Sequence, residues 1–167
     1  MYVIKKDKNV LKRLQIKKGQ LVQRSGELNS KIYHVKSGLL RSYMIDKKGK
    51  EHIFMFAPEG WTIGDNIPPG KPSTLFIDAL ENSIVVVAEK NIEKETNGKK
   101  LIKRLEVLQK RIIQLMSSSA LERYEDFMQT YPDLSQRVAQ RMIASYLGVT
   151  PEALSKVKSE RLMKKKS

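Results

Sequence analysis

The stretch Gln140–Met163, QRMIASYLGVTPEALSKVKSERLM, constrains this chain more than any other. Ile143, Leu147, Val149, Leu154 and Val157 are its apolar anchors, Ala144 follows the first of them, and Gly148 separates two apolar runs. Two short helices that cross steeply need a small residue at their contact, which Ala144 supplies. The chain between them needs a residue that accepts a positive φ, which Gly148 does at no steric cost. Thr150 can cap the second helix through its hydroxyl, Pro151 suits its first position, and Glu152 complements the positive end of its dipole. On a helix starting at Pro151, the side chains of Glu152, Ser155, Lys156 and Ser159 share one face, while Leu154 and Val157 point elsewhere. The spacing predicts a helix-turn-helix whose second helix has a buried side and a short, polar side. The plain alternative is a packed helical hairpin with those polar residues solvated.

Charge bears on the choice. The 167 residues carry a net charge of +14, which favours a polyanionic partner. Residues 153–167 hold Lys156, Lys158, Arg161, Lys164, Lys165 and Lys166 against Glu160, so the excess follows the second helix. Residues 1–98 are also net basic, and charge alone does not single out the C-terminal part. The absence of cysteine excludes disulfides, thiolate metal sites, cysteine-ligated iron–sulfur clusters and cysteine nucleophiles. No apolar run approaches the ~20 residues of a membrane span, and the start has no sustained apolar core like that of a signal peptide. A soluble cytoplasmic protein with no membrane partner is the expectation.

From Leu14 to Glu89 the texture is that of strands. Alternating runs occupy Gln20–Gln23, Lys31–Lys36, Leu39–Ile45, Glu51–Ala57, Trp61–Asp65, Leu75–Leu80 and Ser83–Glu89. Gly26, Gly38, Gly49 and Gly60 punctuate them at spacings of twelve, eleven and eleven, which predicts a small antiparallel barrel or roll. Asp46-Lys47-Lys48-Gly49 reads as a hairpin turn, and Ile84-Val85-Val86-Val87 as an interior strand. Residues 1–13 read as a basic lead-in, Asn91–Asn97 as a short helical turn with a hinge at Gly98, and Lys164–Lys166 as a disordered tail. A helix follows from Lys99 to about Ser117. Its Leu101, Leu105, Leu108, Ile112 and Leu115 are spaced four, three, four and three, an a/d seam over two heptads suited to pairing two subunits. Packing on its own domain is the alternative, and Ile102, Val107, Ile113 and Met116 widen the face enough for both. Ala120–Thr130 forms another helix, broken at Tyr131-Pro132-Asp133. The fold class is thus α+β, with a roll domain at 1–97, a dimerisation helix at 98–118 and a helix-turn-helix domain at 119–167.

This layout resembles the Crp/Fnr superfamily of dimeric bacterial transcription regulators, most of all its short Bacteroidetes-type members. The resemblance is carried by K31-I-Y-H-V-K-S-G-L-L-R-S-Y43, D46-K-K-G-K-E-H-I-F54, E59-G-W-T-I-G-D65, E122-R-Y-E-D-F127 with Y131-P-D133, and I143-A-S-Y-L-G-V-T-P-E-A-L-S-K156. It implies a cyclic-nucleotide-binding-like jelly roll, a dimerisation helix and a winged-helix-type DNA-binding domain. It further implies a homodimer on a pseudo-palindromic site in double-stranded DNA, with RNA polymerase as a further partner. The family reads DNA with a Glu-x-x-Ser-Arg pattern. Glu152 and Ser155 match it, and Lys156 stands in the place of the arginine. A carboxylate can accept from cytosine N4, and a cation can donate to guanine O6 and N7. Thr150 and the amides at the helix start would hold a phosphate, Pro151 stands where some members carry a further arginine, and Ser159 lies one turn beyond.

The sensor half departs from the family pattern. Members that bind cyclic AMP carry Gly-Glu in the roll and then Arg-Ser, whose arginine pairs with the cyclic phosphate. Here Gly64-Asp65 takes the first place and Pro72-Ser73 the second, with no arginine. The residues Gly64, Asp65, Ser73 and Thr74 mark the expected effector pocket, for an effector that is unknown and not a cyclic nucleotide. No cofactor is indicated, the helix that usually precedes the roll is expected to be reduced or missing, and His34 and His52 read as plain strand histidines rather than haem ligands. A metal enzyme on a cupin-like roll would need more than those two histidines, so no metal or catalytic site is expected. The remaining alternative is a cyclic-nucleotide or other small-ligand module whose helical tail is structural.

Overall fold

A computed structural model describes residues 12–90 and 98–164, without the side chains of Lys100, Leu101 and Lys164. The expectations for the lead-in before Lys12, for Asn91–Asn97 and for the Lys165-Lys166 tail fall outside the described residues. Among those described, the chain forms two units, one of residues 12–44 and 54–90, the other of 45–53 and 98–164.

The first unit is built from two four-stranded antiparallel sheets. One has the order β1 (Lys12–Ile16), β8 (Ser83–Ala88), β3 (Ile32–Ser37), β6 (Thr62–Gly64). The other has the order β2 (Leu21–Gln23), β7 (Phe76–Ala79), β4 (Leu40–Ile45), β5 (Glu51–Ala57). The β-branched run takes an interior place as expected, with β8 pairing β1 on one side and β3 on the other. Period-two alternation turns Val85 and Val87 inward, where they join Ile16, Tyr33, Val35 and Ile63 of their sheet and Leu40, Ala57, Ile77 and Ala79 of the other in one core. β1 begins earlier than the alternation suggests, because Lys12 and Arg13 pair with Val87 and Val86 while their side chains stay in solvent. On the opposite face of the second sheet, Arg41 and Asp78 sit across from each other on β4 and β7. The Arg41 guanidinium donates twice to that carboxylate, at 2.8 and 2.9 Å, and lies 4.2 Å from the Tyr43 ring centroid. The β4–β5 turn has the predicted chemistry. Gly49 sits at φ 78°, and the Asp46 carboxylate accepts from the amides of Lys48 and Lys50 and pairs with His52 Nε2 at 2.8 Å.

The second unit is helical, together with the tip of that hairpin. Its helices are α1 (Gly98–Ser117), α2 (Ala120–Thr130), α3 (Leu134–Arg137), α4 (Gln140–Leu147) and α5 (Pro151–Lys164). Ser119 starts α2 in a reciprocal capping box with Glu122, which explains why the serine run interrupts the helices there. Tyr131 ends α2 and is buried against Phe127 and Tyr146, and this ring cluster is the reason the Tyr-Pro-Asp break is compact. Among the described residues no strand follows α1. Residues 131–139 are taken up by the Tyr131 turn and α3, so the helices of the winged-helix expectation are present there without a wing hairpin.

Candidate nucleic-acid interface

The helix-turn-helix forms as its sequence dictates. Ile143, Ala144 and Leu147 of α4 and Leu154 and Val157 of α5 are buried, and they pack with Leu121, Tyr124 and Phe127 of α2 into one small core. Gly148 ends α4 in the left-handed region, at φ 68° and ψ 34°, with its amide donating to the carbonyls of Ala144 and Ser145. The Thr150 hydroxyl accepts from the Ala153 amide at 3.2 Å, which is the N-cap expected of it. Pro151, Glu152, Ser155, Lys156 and Ser159 are all exposed. The four predicted readers after Pro151 therefore lie on one open face, backed by Leu154 at 0% and Val157 at 7% exposure.

The chemistry of that face is set locally. The Glu152 carboxyl is held below the usual carboxylate range by its own backbone N–H and by the Thr150 hydroxyl, so it is an anionic acceptor at neutral pH. Ser155 donates back to the Pro151 carbonyl at 3.1 Å and Ser159 to the Ser155 carbonyl at 3.2 Å. These bonds fix both hydroxyl oxygens on the helix surface with lone pairs free to accept. Lys156 adds an exposed cation one helical turn from the carboxylate.

Comparison with known proteins agrees with this architecture. The chain is 28% identical to the fumarate and nitrate reduction regulatory protein of Vibrio cholerae over 175 residues, covering 90% of this chain and 69% of that protein. Among solved structures it is similar to FixK2 from Bradyrhizobium japonicum, with a TM-score of 0.72 at 20% identity over 93% of this chain and 86% of that one. It is also similar to a transcriptional regulator of the Crp/Fnr family from Eubacterium rectale, with a TM-score of 0.67 at 18% identity over 93% and 80%. At these identities the likeness shows a fold shared with Crp/Fnr regulators. No family model matches the chain. The curated proteins it resembles are named as regulatory proteins. Among the described residues no helix is long and apolar enough to cross a membrane.

Two contacts of this chain escape a reading of its sequence. Arg111 of α1 donates to the Tyr146 carbonyl and lies 3.7 Å from the Tyr146 ring centroid, and Arg123 of α2 donates to the Leu147 carbonyl at 2.9 Å. Both guanidinium groups thus serve the C-terminal carbonyls of α4, where a cation also suits the helix dipole. No sequence spacing signals this, because each arginine reaches across to another helix. Lys110 adds an ion pair with Asp126 at 2.8 Å, and Leu115 lies against Gly148. The end of α1 is thereby fastened to the turn of the helix-turn-helix. The hairpin tip is tied to α4 as well, with Ser145 Oγ donating to the Glu51 carbonyl at 2.8 Å and accepting from the Ile53 amide at 3.0 Å.

Of the residues expected to pair subunits, Leu105 and Ile112 are more than half exposed, Leu108 is half-buried, Leu115 is 44% exposed beside Gly148, and the Leu101 side chain lies outside the described residues. Ile102, Ile113 and Met116 are exposed on the same helix.

In the roll, Gly64, Asp65, Ser73 and Thr74 do come together, but through one another. Asp65 Oδ1 accepts from the Ile67 amide at 3.0 Å. Asp65 Oδ2 accepts from the Thr74 amide at 2.6 Å, the Leu75 amide at 3.1 Å and the Thr74 hydroxyl at 3.2 Å. Burial pushes this carboxyl up, yet the donors together outweigh burial and hold it below its ordinary value. Ser73 is buried and donates to the Arg24 carbonyl at 2.6 Å, and a side chain at Gly64 would press on the Lys31 carbonyl. The loop is stapled by its own carboxylate.

Proposed function

We propose that two copies of this regulator pair through α1 and place their α5 helices in successive major grooves of a pseudo-palindromic site, with half-sites about 34 Å apart. The observation that carries this reading is the open face of α5. Glu152, Ser155, Lys156 and Ser159 project from one side of a helix whose other side is anchored by Leu154 and Val157. Glu152 accepts from cytosine N4, Lys156 donates to guanine, Ser155 and Ser159 contact neighbouring edges, and Thr150 with the amides after Pro151 holds a phosphate. The dimer works in the cytoplasm and acts on RNA polymerase from its site. Any effector enters near Gly64, Asp65, Ser73 and Thr74 and shifts the balance between two arrangements of the helix pair. That effector is not a cyclic nucleotide, because Pro72-Ser73 offers no guanidinium for the phosphate. It is not sensed through a thiolate-ligated iron–sulfur cluster, because the sequence has no cysteine.

The test is selection from a random double-stranded library without added ligand, at two salt concentrations. An enriched pseudo-palindrome that Lys156→Ala abolishes is the expected result. Sequence-independent, salt-sensitive binding alone would reduce the interaction to counterion release by a basic protein and overturn the reading.

A further inference from the structure

We propose that Gln109 sets the direction and register in which two copies of α1 pair, a role that rests on the homodimer reading above. Among the exposed residues of α1, which also include Val107, Ile113 and Leu115, one set forms a seam that differs from the line of leucines. Ile102, Leu105, Gln109, Ile112 and Met116 follow one another at spacings of three, four, three and four, and all five are exposed. That is an a/d seam with Ile102, Gln109 and Met116 at a and Leu105 and Ile112 at d. Leu108 and Leu115 form the adjacent line, and Leu115 is already engaged at Gly148. The broad apolar face of α1 therefore divides, one line serving its own unit and the next left for a partner.

Three features make the partner a second copy of this helix. The spacing is the one that two identical helices use to interdigitate. The a/d choice in the first heptad, isoleucine at a and leucine at d, suits a two-stranded pair. The area is sufficient. Ile102 at 58%, Leu105 at 55%, Ile112 at 57%, Ile113 at 53% and Met116 at 82% exposure offer a largely apolar strip. Closing that strip buries on the order of 1,000 Å² over both copies, the least that a specific interface needs.

Gln109 is the polar member at the centre of this seam. A glutamine amide carries both donors and an acceptor, so it can satisfy a copy of itself but not an isoleucine or a leucine. In a parallel, in-register pair the two Gln109 amides face each other. In an antiparallel pair a positions face d positions, and each Gln109 meets Leu105 or Ile112. A slip of one heptad sets it against Ile102 or Met116. Every wrong pairing buries two unsatisfied amides, while the right one buries none. Parallel pairing is also the arrangement that carries both helix-turn-helix units to the same end.

The chain has no cysteine, so single introduced thiols report the pairing directly. The full-length protein with Ile102→Cys should oxidise to a 102–102 disulfide. A mixture of Ile102→Cys and Ile112→Cys copies should give 102–112 links, the mark of the antiparallel register that sets Gln109 against Leu105, at least about tenfold less often. Adding Gln109→Leu should tighten self-association in sedimentation by about tenfold while letting the 102–112 link rise to a comparable yield, since an apolar a position no longer discriminates. An unchanged link pattern with Gln109→Leu, in a protein still dimeric, would overturn the role of Gln109 and leave the dimer reading standing. A dimer that survives Leu105→Glu with Ile112→Glu would overturn the α1 dimer itself.

Discussion

Replacing Asp65 with asparagine is the sharpest test of what holds the roll together. The carboxylate gathers three backbone amides and a hydroxyl at 2.6–3.2 Å, at a residue only 5% exposed. Asparagine keeps one carbonyl oxygen, which can serve Thr74 and Leu75, but it turns an NH₂ group towards the Ile67 amide. One buried N–H is then orphaned, at about 1–3 kcal/mol, and the remaining bonds lose their charge assistance, for a total of about 3 kcal/mol. Trp61 is the only tryptophan and lies beside β6, so its fluorescence follows unfolding of the roll. With a urea slope of about 1–1.5 kcal/mol per M for a unit this small, the midpoint should fall by about 2–3 M. The pH dependence has a definite sign. The folded Asp65 carboxyl lies below its unfolded value of about 3.9, so its stabilisation is full above that value and drains away as pH falls through the folded one. The gap between wild type and Asp65→Asn should be widest near pH 6 and narrow in acid below about pH 4. A midpoint shift under about 0.5 M at pH 6 would refute the staple. If Asp65 instead served mainly as an effector ligand, the substitution would leave the urea midpoint in place.

Four other changes probe the rest of the molecule. Asp78→Ala removes the carboxylate that pairs with the buried Arg41 guanidinium and should cost about 3–5 kcal/mol in urea unfolding, while Arg41→Met combined with Asp78→Leu should recover most of it. Gly148→Ala should destabilise the helical unit by about 1–2 kcal/mol in thermal melts from backbone strain alone, since the atoms nearest the added carbon stand at 3.5 and 3.6 Å. Arg111→Ala should lower the same melt by about 1–2 kcal/mol, and Arg111→Lys should not restore it, because lysine lacks the planar group that stacks on Tyr146. Lys156→Arg should sharpen discrimination at one base pair of the selected site by about tenfold in competition binding, through a second hydrogen bond to guanine.

Much of this was legible in the sequence because the signals were local. Gly148, the Thr150-Pro151-Glu152 start and the Val85–Val87 alternation each fix geometry within a few residues, and each stands where the pattern placed it. β1 was half hidden. Only Leu14 and Ile16 of Lys12–Ile16 carry apolar signal, and an edge strand with exposed Lys12 and Arg13 looks like a basic tail. The roles of Arg111 and Arg123 were not legible at all, because their targets are carbonyls brought near only by packing. In α1, counting apolar residues favours the line through Leu108 and Leu115, since Gln109 interrupts the neighbouring seam. Exposure separates the two lines where composition does not. In the roll, the sequence marks Asp65 and Thr74 for an effector pocket, and nothing in their spacing announces that they bond to each other and that the carboxylate takes the loop amides for itself.

The fastening of α1 to the turn before α5 has a mechanical consequence. Arg111 on Tyr146, Lys110 on Asp126 and Leu115 on Gly148 make the last turns of α1 and the helix-turn-helix move as one body. A helix turns by about 100° and advances about 1.5 Å per residue, so a slip of a single residue between two paired α1 helices would swing the reading face by more than a quarter of a circle. In the proposed dimer, the angle at which α5 meets DNA would therefore be governed well upstream of any residue proposed to touch a base, and the tolerance on that angle would be that of a side-chain register rather than of a hinge.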